Sequence, residues 1–162
     1  MGELPSWLKH TTVWLVLAVA VLLGVQTWQA REAATRFTID GGTVEIRRSA
    51  DGHYHWRGRI EGRAVDFLVD TGATRTAIPA ALARQLGLET LGSVSSSTAG
   101  GVVQGMVVRA DLQLEGGLQA ERLSLVALPG LALPLLGMDV LGRLRLEQAD
   151  GVLRVDLRGA KR

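Results

Sequence analysis

The chain has 162 residues, with 18 Lys and Arg against 16 Asp and Glu. This length allows one domain of ordinary size plus an additional segment. It contains no cysteine, which excludes disulfides, thiolate metal ligands and a thiol nucleophile, and its scattered basic residues do not favour a nucleic-acid partner.

An uncharged, apolar stretch lies near the N-terminus at 11–29, after an N-terminal tail at 1–10. A helix needs about 20 such residues to cross a bilayer, and Trp14 and Trp28 lie where an interfacial aromatic belt would place them. A cleaved signal peptide would have a shorter apolar region and a small-residue cleavage site, and a buried core helix would show a polar face. We therefore predict a single transmembrane helix at 11–29, which makes the membrane a partner of the chain.

The orientation of this helix is not determined by its flanking charges. Lys9 is the one basic side chain before it, whereas several arginines follow it, among them Arg31 and Arg36. The positive-inside rule, applied literally, would leave the C-terminal part in the cytoplasm. Long domains translocate largely regardless of charge, so both orientations remain open.

After a linker at 30–42, the pattern from 43 to 162 has a period of two. Apolar residues alternate with polar ones around Val44, from Tyr54 to Ile60, and from Val108 to Leu114. Glycine-containing turns recur between these runs. This pattern predicts a small antiparallel sandwich or barrel.

An apolar run at 67–69 leads directly into Asp70-Thr71-Gly72. A carboxylate at the end of a buried strand costs several kcal/mol unless it is hydrogen-bonded, paired or functional. Gly72 is expected to adopt backbone angles that are closed to other residues. Two interpretations remain open: Asp70 caps its own backbone in an Asx-turn, or it performs chemistry.

Two short helices and one glycine-rich stretch interrupt the strands. Pro79 starts a predicted helix that stops at Gly87, and 138–144 is a second candidate. The stretch at 95–105 is either a flexible surface loop or a hairpin flap that closes over an extended ligand. Its central apolar residues, Val102 and Val103, favour the flap.

Other chemistries have little support. His53 and His55 would share a strand face and could ligate a metal, but no third ligand is obvious nearby, so we expect no metal. There is no Gly-x-Ser-x-Gly motif and no glycine-rich phosphate loop with a lysine. We expect no cofactor.

Three segments together resemble the retropepsin-like aspartic proteases, and in particular the bacterial single-pass, membrane-anchored members. They are 67–74 with the Asp-Thr-Gly motif, the glycine-rich 98–105, and Leu-Leu-Gly-Met-Asp-Val-Leu at 135–141. The resemblance covers roughly 53–157. It implies a mainly β fold: a small closed antiparallel β-barrel of the retropepsin type with one or two short helices, preceded by the transmembrane helix.

The resemblance implies an aspartic endopeptidase with Asp70 as its catalytic carboxylate. Such enzymes need two carboxylates that share one proton, and this chain has one motif, so it would act as a homodimer on a peptide or protein substrate. Support for the active-site loop would come from Thr71, Gly72, Ala73, Thr74, Leu136 and Gly137. The substrate-binding flap would comprise Ala99, Gly100, Gly101, Val102 and Val103.

The family pattern also has departures here. The flap tip carries no aromatic residue, Arg75 follows the motif where many members have a small residue, and Asp139 has no assigned role. The resemblance places the protein in the bacterial inner membrane with its protease domain in the periplasm. The alternative function is a non-catalytic module on the same barrel that holds an extended peptide by strand pairing.

Overall fold

The structure, a computed structural model, describes residues 14–26, 36–39, 42–98 and 101–158. The chain divides into two compact units, Met1–Ala34 and Thr35–Arg162. The described part of the first unit is helix α1, at 14–26. In the described ranges, no helix combines the length and the apolar character needed to span a membrane. The ends of the predicted span 11–29, with Trp28, lie outside the described residues.

The second unit is built almost entirely of strands, with two short helices. The strands are β1 (Arg36–Ile39), β2 (Thr43–Arg47), β3 (His55–Ile60), β4 (Arg63–Val69), β5 (Ala77–Pro79), β6 (Glu89–Thr98), β7 (Gly101–Leu114), β8 (Leu118–Leu128), β9 (Leu135–Leu136), β10 (Arg145–Ala149) and β11 (Val152–Asp156). The helices are α2 (Ala80–Gln85) and α3 (Met138–Leu141).

Six strands close into a barrel in the order β8, β5, β9, β4, β3 and β7, because β7 pairs again with β8. The predicted closed β-barrel is therefore confirmed, but it is not wholly antiparallel. Strand β4 runs parallel to β9, and β5 runs parallel to β8. The parallel pair β4–β9 matters for the site, since it brings the C-terminal ends of the two strands together at one edge.

The β3–β4 turn places both Glu61 and Gly62 at positive φ, which is the hairpin geometry that matches the twist of the flanking strands.

The barrel interior is filled by the alternating apolar residues of these strands. Trp56 is almost fully buried, and its indole N–H donates to the carbonyl of Glu115 at 2.9 Å. Other fully buried large side chains are Ile60, Phe67, Ile78, Leu112, Leu118, Leu125 and Leu136.

A second sheet, in the order β10-β11-β2, packs its inner side chains into the same core. The segment 30–42, predicted as a linker, contains β1, which pairs with β8. Strand β1 thus adds to the barrel sheet ahead of the domain boundary predicted at residue 43. The pattern of alternating apolar and polar residues does not predict β1, because this strand contains only two apolar residues, at 37 and 39.

The helices lie where the sequence places them, with one difference in length. Helix α2 begins after Pro79 and ends before Gly87, whose φ of +63° is the conformation expected just beyond a helix end. Helix α3 ends at Leu141, three residues before the predicted end at Leu144. Gly142 caps α3 and the chain continues into turns, because glycine does not favour further helix.

Candidate active site

Strand β4 delivers Asp70 to the edge of the barrel. Phe67 anchors the strand in the core, and Val69 lies beside Leu136 in the parallel pair. The Asp70 backbone N–H donates to the Leu136 carbonyl at 3.0 Å, so the residue is fixed at its main chain while its side chain is only half-buried. This is a rigid placement for a carboxylate that remains accessible.

The Asx-turn considered from the sequence is present, but it occupies one carboxylate oxygen. Gly72 donates its N–H to Asp70 Oδ1 at 2.9 Å, and Ala73 donates to the Asp70 carbonyl at 3.2 Å. Within the described residues, Oδ2 of Asp70 accepts no hydrogen bond. The turn therefore orients the carboxylate and leaves its second oxygen available, so the two interpretations of Asp70 are compatible.

Gly72 serves the loop in a different way from the one expected. It is not among the glycines with positive φ, so its backbone angles are open to other residues. A Cβ at this position would instead lie 3.2 Å from Asp70 Oδ1, which is a tight contact that would push the carboxylate by a few tenths of an ångström. Glycine thus leaves room beside the carboxylate, and the expectation of special backbone angles was wrong.

The segment that follows β9 supports the Asp70 loop from one side. Met138 donates its N–H to the Ala73 carbonyl at 2.8 Å, and Asp139 donates its N–H to the Thr74 carbonyl at 3.2 Å. A Cβ on Gly137 would come within 2.7 Å of three backbone atoms of Arg75 and Thr76. The two segments therefore pack backbone against backbone, which only glycine permits here.

Thr76 and Asp139 form a polar network that the sequence did not reveal. Thr76 is fully buried; its N–H donates to both oxygens of the Asp139 carboxylate, at 3.0 and 2.9 Å, and its hydroxyl donates to Oδ1 at 2.7 Å. The same hydroxyl accepts the Gly137 N–H at 3.1 Å, and Val140 donates to Asp139 at 3.0 Å. Asp139, whose role was unassigned, thus holds the end of the Asp70 loop.

The glycine-rich stretch is a hairpin rather than an irregular loop. Strands β6 and β7 pair with each other from Val94↔Gly105 to Thr98↔Gly101, beyond the last pairing of β7 with β8 at Met106↔Ala127. This part of the hairpin projects past the barrel without a further strand beside it. The predicted flap residues Ala99 and Gly100 lie outside the described residues.

The two flap valines differ in environment. Val103 packs with Val94 against a small apolar cluster that contains Val126 and Leu128, whereas Val102 is 74% exposed. Adjacent residues of a strand point to opposite faces, so one valine faces the barrel side and the other faces away. Gly105 lies at the base of the projecting part, where a Cβ would be 2.7 Å from Leu128 Cδ2 and 2.9 Å from the Ala127 carbonyl oxygen.

Asp70 and the hairpin share one cleft of about 710 Å³. The Asp70 loop forms one wall, and β6 and the apolar cluster form the other. Its lining residues are Asp70, Gly72, Ala73, Thr74, Arg75, Ala77, Val94, Ser95, Ser96, Ser97, Val126, Leu128, Leu131 and Leu135. Asp70 is the one carboxylate among them, so a single copy of the described chain supplies one carboxylate to this cleft.

His53 and His55 lie away from this cleft. His55 Nε2 is 2.8 Å from Asp51 Oδ2, and His55 Nδ1 is 3.5 Å from Asp66 Oδ2. The His53 N–H, and then the His55 ring, lower the pKa of Asp51. In the ranges that the structure describes, no three or more His, Asp or Glu side chains are grouped so as to hold a metal ion.

The closed barrel, the Asp-Thr-Gly loop at the end of β4 and the Leu-Leu-Gly segment beside it define the retropepsin-like class of aspartic proteases. A family model described as gag-polyprotein putative aspartyl protease matches residues 56–143, more than half of the chain. This chain belongs to that family. No curated protein sequence matches it significantly.

Several solved structures are similar to this chain, and the first below shows the same fold. A retropepsin-like aspartic protease from Rickettsia conorii is similar with a TM-score of 0.55 and 21% identity, over 76% of this chain and 93% of that one. The EIAV protease complexed with the inhibitor HBY-793 matches with a TM-score of 0.49 and 18% identity, over 58% and 89%. The retroviral protease-like domain of Ddi1 from Leishmania major matches with 0.42 and 16%, over 64% and 81%.

Proposed function

We propose that this chain is a membrane-anchored aspartic endopeptidase that is active as a homodimer, with one Asp-Thr-Gly from each copy. The observation that carries the proposal is the Asp70 carboxylate: Gly72 holds one of its oxygens, and the other accepts no hydrogen bond within the described residues. The carboxylate lines a cleft large enough for part of a peptide. The family to which the chain belongs supports the same chemistry.

The reaction needs a second carboxylate. In an aspartic protease one carboxylate takes a proton from water while the other donates a proton to the carbonyl oxygen of the peptide bond. Asp70 is the one carboxylate that lines the cleft of the described chain. In the proposed dimer, Asp70 of the partner subunit supplies the second, and Thr71, which is exposed beside Asp70, contacts the partner's loop across the two-fold axis.

The hairpin at 94–105 is proposed to close over the bound substrate. It projects beyond the barrel, and its Val94 and Val103 belong to the apolar cluster at the cleft. An extended peptide that enters the cleft could be covered by this hairpin, which would exclude water from the reacting groups. Ala99 and Gly100, which lie outside the described residues, complete the proposed flap.

The membrane anchor is part of the proposal. Residues 11–29 carry no charge, and their described part, 14–26, is helical with exposed apolar side chains that include Leu15 and Val21. The resemblance to bacterial single-pass members supports an inner-membrane location with the protease domain in the periplasm. Reporter fusions after residue 162 that are active only in the periplasm or only in the cytoplasm would determine the orientation.

The central experiment compares the full-length wild-type chain, in detergent micelles, with Asp70→Asn on a mixture of peptides from about pH 3 to about pH 8. Cleavage should fall by about a hundredfold or more in the variant, because the acid–base group is lost. Asp150→Asn is the matched control: it makes the same change at an exposed turn with φ of 50°, which Asn tolerates. Equal cleavage by wild type and Asp70→Asn would reject the proposal, and peptide binding without cleavage would favour the non-catalytic module.

A further inference from the structure

The cleft contains a cation beside the proposed catalytic carboxylate. Apart from Asp70, Arg75 is the one charged side chain among the described residues that line it. The remaining lining is small, hydroxyl-bearing or aliphatic. A ligand in this cleft therefore meets two kinds of surface: an apolar wall and a guanidinium at the loop.

Arg75 is not neutralised by the described chain. The ion pairs formed within the described residues use other cations: His55, Arg109, Arg145, Arg154 and Arg158. No hydrogen bond from the Arg75 side chain is formed there either, and the residue is exposed. The guanidinium thus keeps its donors available for a bound molecule, and a carboxylate matches their fork geometry best.

The backbone of Arg75 is held in place. Its carbonyl packs against Gly137, where a Cβ would come within 2.6 Å of the carbonyl oxygen. The next residue, Thr76, is fully buried and bonded to Asp139 through both its N–H and its hydroxyl. The side chain of Arg75 therefore projects from a fixed point, which reduces the cost of ordering it around a ligand.

The apolar part of the cleft complements this charge. Val126 and Leu128 form a buried cluster against which Val94, Leu131 and Leu135 pack, and these residues line the cleft. Successive side chains of an extended peptide point to opposite sides, so one can contact the aliphatic cluster while a neighbour reaches the arginine. In a symmetric dimer the same pair of surfaces occurs on both sides of the reacting bond.

We propose that Arg75 determines specificity: the cleft selects peptides in which an acidic side chain lies close to an aliphatic one beside the cleaved bond. This inference rests on the proposed protease function, because it names the substrate class of that same site. It assigns to Arg75 a contact with substrate and no part in the bond-breaking chemistry.

The test uses full-length protein in detergent and sets of matched peptides with aliphatic residues around the scissile bond. One position at a time, on either side of that bond, carries Glu, Gln or Lys, and competition within each set gives relative kcat/KM. Wild type should favour Glu over Gln by about fivefold at one position on each side, as expected for a partly exposed charge-assisted contact. A wild type without preference for Glu would overturn the inference.

Variants separate a local contact from the overall charge. Arg75→Gln should remove the preference, so that the Glu and Gln peptides have equal kcat/KM; Arg75→Glu should shift the preference to Lys, and Arg75→Lys should retain part of it. Arg84→Glu is the matched control, since Arg84 is an exposed arginine of α2 that does not line the cleft. A preference that survives Arg75→Gln, or that changes equally in Arg84→Glu, would contradict the proposal.

Two further measurements keep this inference distinct from the proposed function. Binding of the same peptides to Asp70→Asn, followed by fluorescence anisotropy, reports the preference without cleavage. If the variant prefers Glu peptides while wild type cleaves none, the protease proposal fails, the part of the inference that concerns a cleaved bond fails with it, and only the recognition of acidic peptides by Arg75 is supported. If no peptide is bound or cleaved, or if the Arg75 variants lose the dimer by light scattering, Arg75 serves another role and the inference fails.

Discussion

At the scale of single residues, the Asp70 loop is shaped by contacts that converge from two distant parts of the chain. Asp139 accepts hydrogen bonds from Thr76 and Val140, and the Thr76 hydroxyl accepts the Gly137 N–H. Each of these donors has an acceptor, either the Asp139 carboxylate or the Thr76 hydroxyl oxygen, and Thr76 is fully shielded from water. A buried donor that loses its acceptor is costly, so this network should be sensitive to small changes.

Replacing Asp139 should show how much the network contributes. In Asp139→Ala the N–H and hydroxyl of Thr76 lose their acceptor, and we expect a loss of about 2–3 kcal/mol in the free energy of unfolding. Asp139→Asn keeps one acceptor oxygen and should lose less than half of that. Urea unfolding of both variants provides the measurement. Equal stability of Asp139→Ala and wild type would show that the network is not important for folding.

At the scale of elements, strand β9 and the β6–β7 hairpin determine the position of the site. Strand β9 has two residues, yet its parallel pairing with β4 places Leu136 and Gly137 against the Asp70 loop. The hairpin of β6 and β7 extends past the barrel, and residues 94–97 of β6 line the cleft. Its base is tight, because Gly105 leaves no space for a side chain against β8.

Adding one methyl group at the base of the hairpin tests this packing. Gly105→Ala should destabilise the fold by about 1–3 kcal/mol, since the new Cβ would meet the Ala127 carbonyl oxygen at 2.9 Å and the backbone must move. Gly92→Ala, in the partner strand β6, is the control: its Cβ would meet nothing within 4 Å. Thermal melts should separate the two variants clearly. Similar melting temperatures would mean that the hairpin base is loosely packed.

The two flap valines should respond differently to a charge. Val103→Asp places a carboxylate in the apolar cluster at the cleft, so we expect a raised KM for peptides and a lower melting temperature. Val102→Asp changes a side chain that is 74% exposed and should leave the melting temperature within about 1–2 °C of wild type. The KM for peptide cleavage, measured for both variants with a thermal melt as the folding control, tests this expectation. Identical behaviour of the two variants would contradict the assignment of faces.

At the scale of the whole molecule, the described cleft contains one carboxylate where the proposed reaction needs two. The missing group must come from a second copy if the chain is a protease, so the active species is the assembly. An anchor at 11–29 would support that assembly, since confinement to a membrane plane raises the effective concentration of the two copies.

Activity should therefore depend on protein concentration. In detergent, dilution of the full-length chain should lower the specific activity as dimers dissociate, and a tandem fusion of two chains should resist this loss. Analytical ultracentrifugation at matched concentrations identifies the species present. Concentration-independent activity from a demonstrated monomer would rule out the shared site.

The proposed dimer also predicts a particular pH dependence. Two like charges held close cannot both ionise cheaply, so one proton is shared and the active form exists between the doubly protonated and doubly ionised states. The plot of kcat/KM against pH should be bell-shaped with its maximum on the acidic side of neutral. Activity that still rises through about pH 9 would exclude a shared-proton mechanism.

The sequence alone determined the features that depend on neighbouring residues. Alternation of apolar and polar residues predicted strands β2 and β3 and the second half of β7. Pro79 and Gly87 bounded helix α2, and the apolar run at 67–69 marked Asp70 as a carboxylate at a strand end. Each of these is a local pattern, because strand faces and helix ends are set by residues a few positions apart. The resemblance carried by three motifs predicted the barrel and the family.

Only the tertiary structure decided the rest. Thr76 and Asp139 are 63 positions apart, and no local period signals their hydrogen bonds. Glycine is needed at position 137 because the backbone of Arg75 approaches it across the fold. Gly72 leaves space for the Asp70 carboxylate, which lies beside it only in the folded chain. Strand β1 is defined by its pairing with β8. These features depend on which distant segments meet, and that is fixed when the barrel closes.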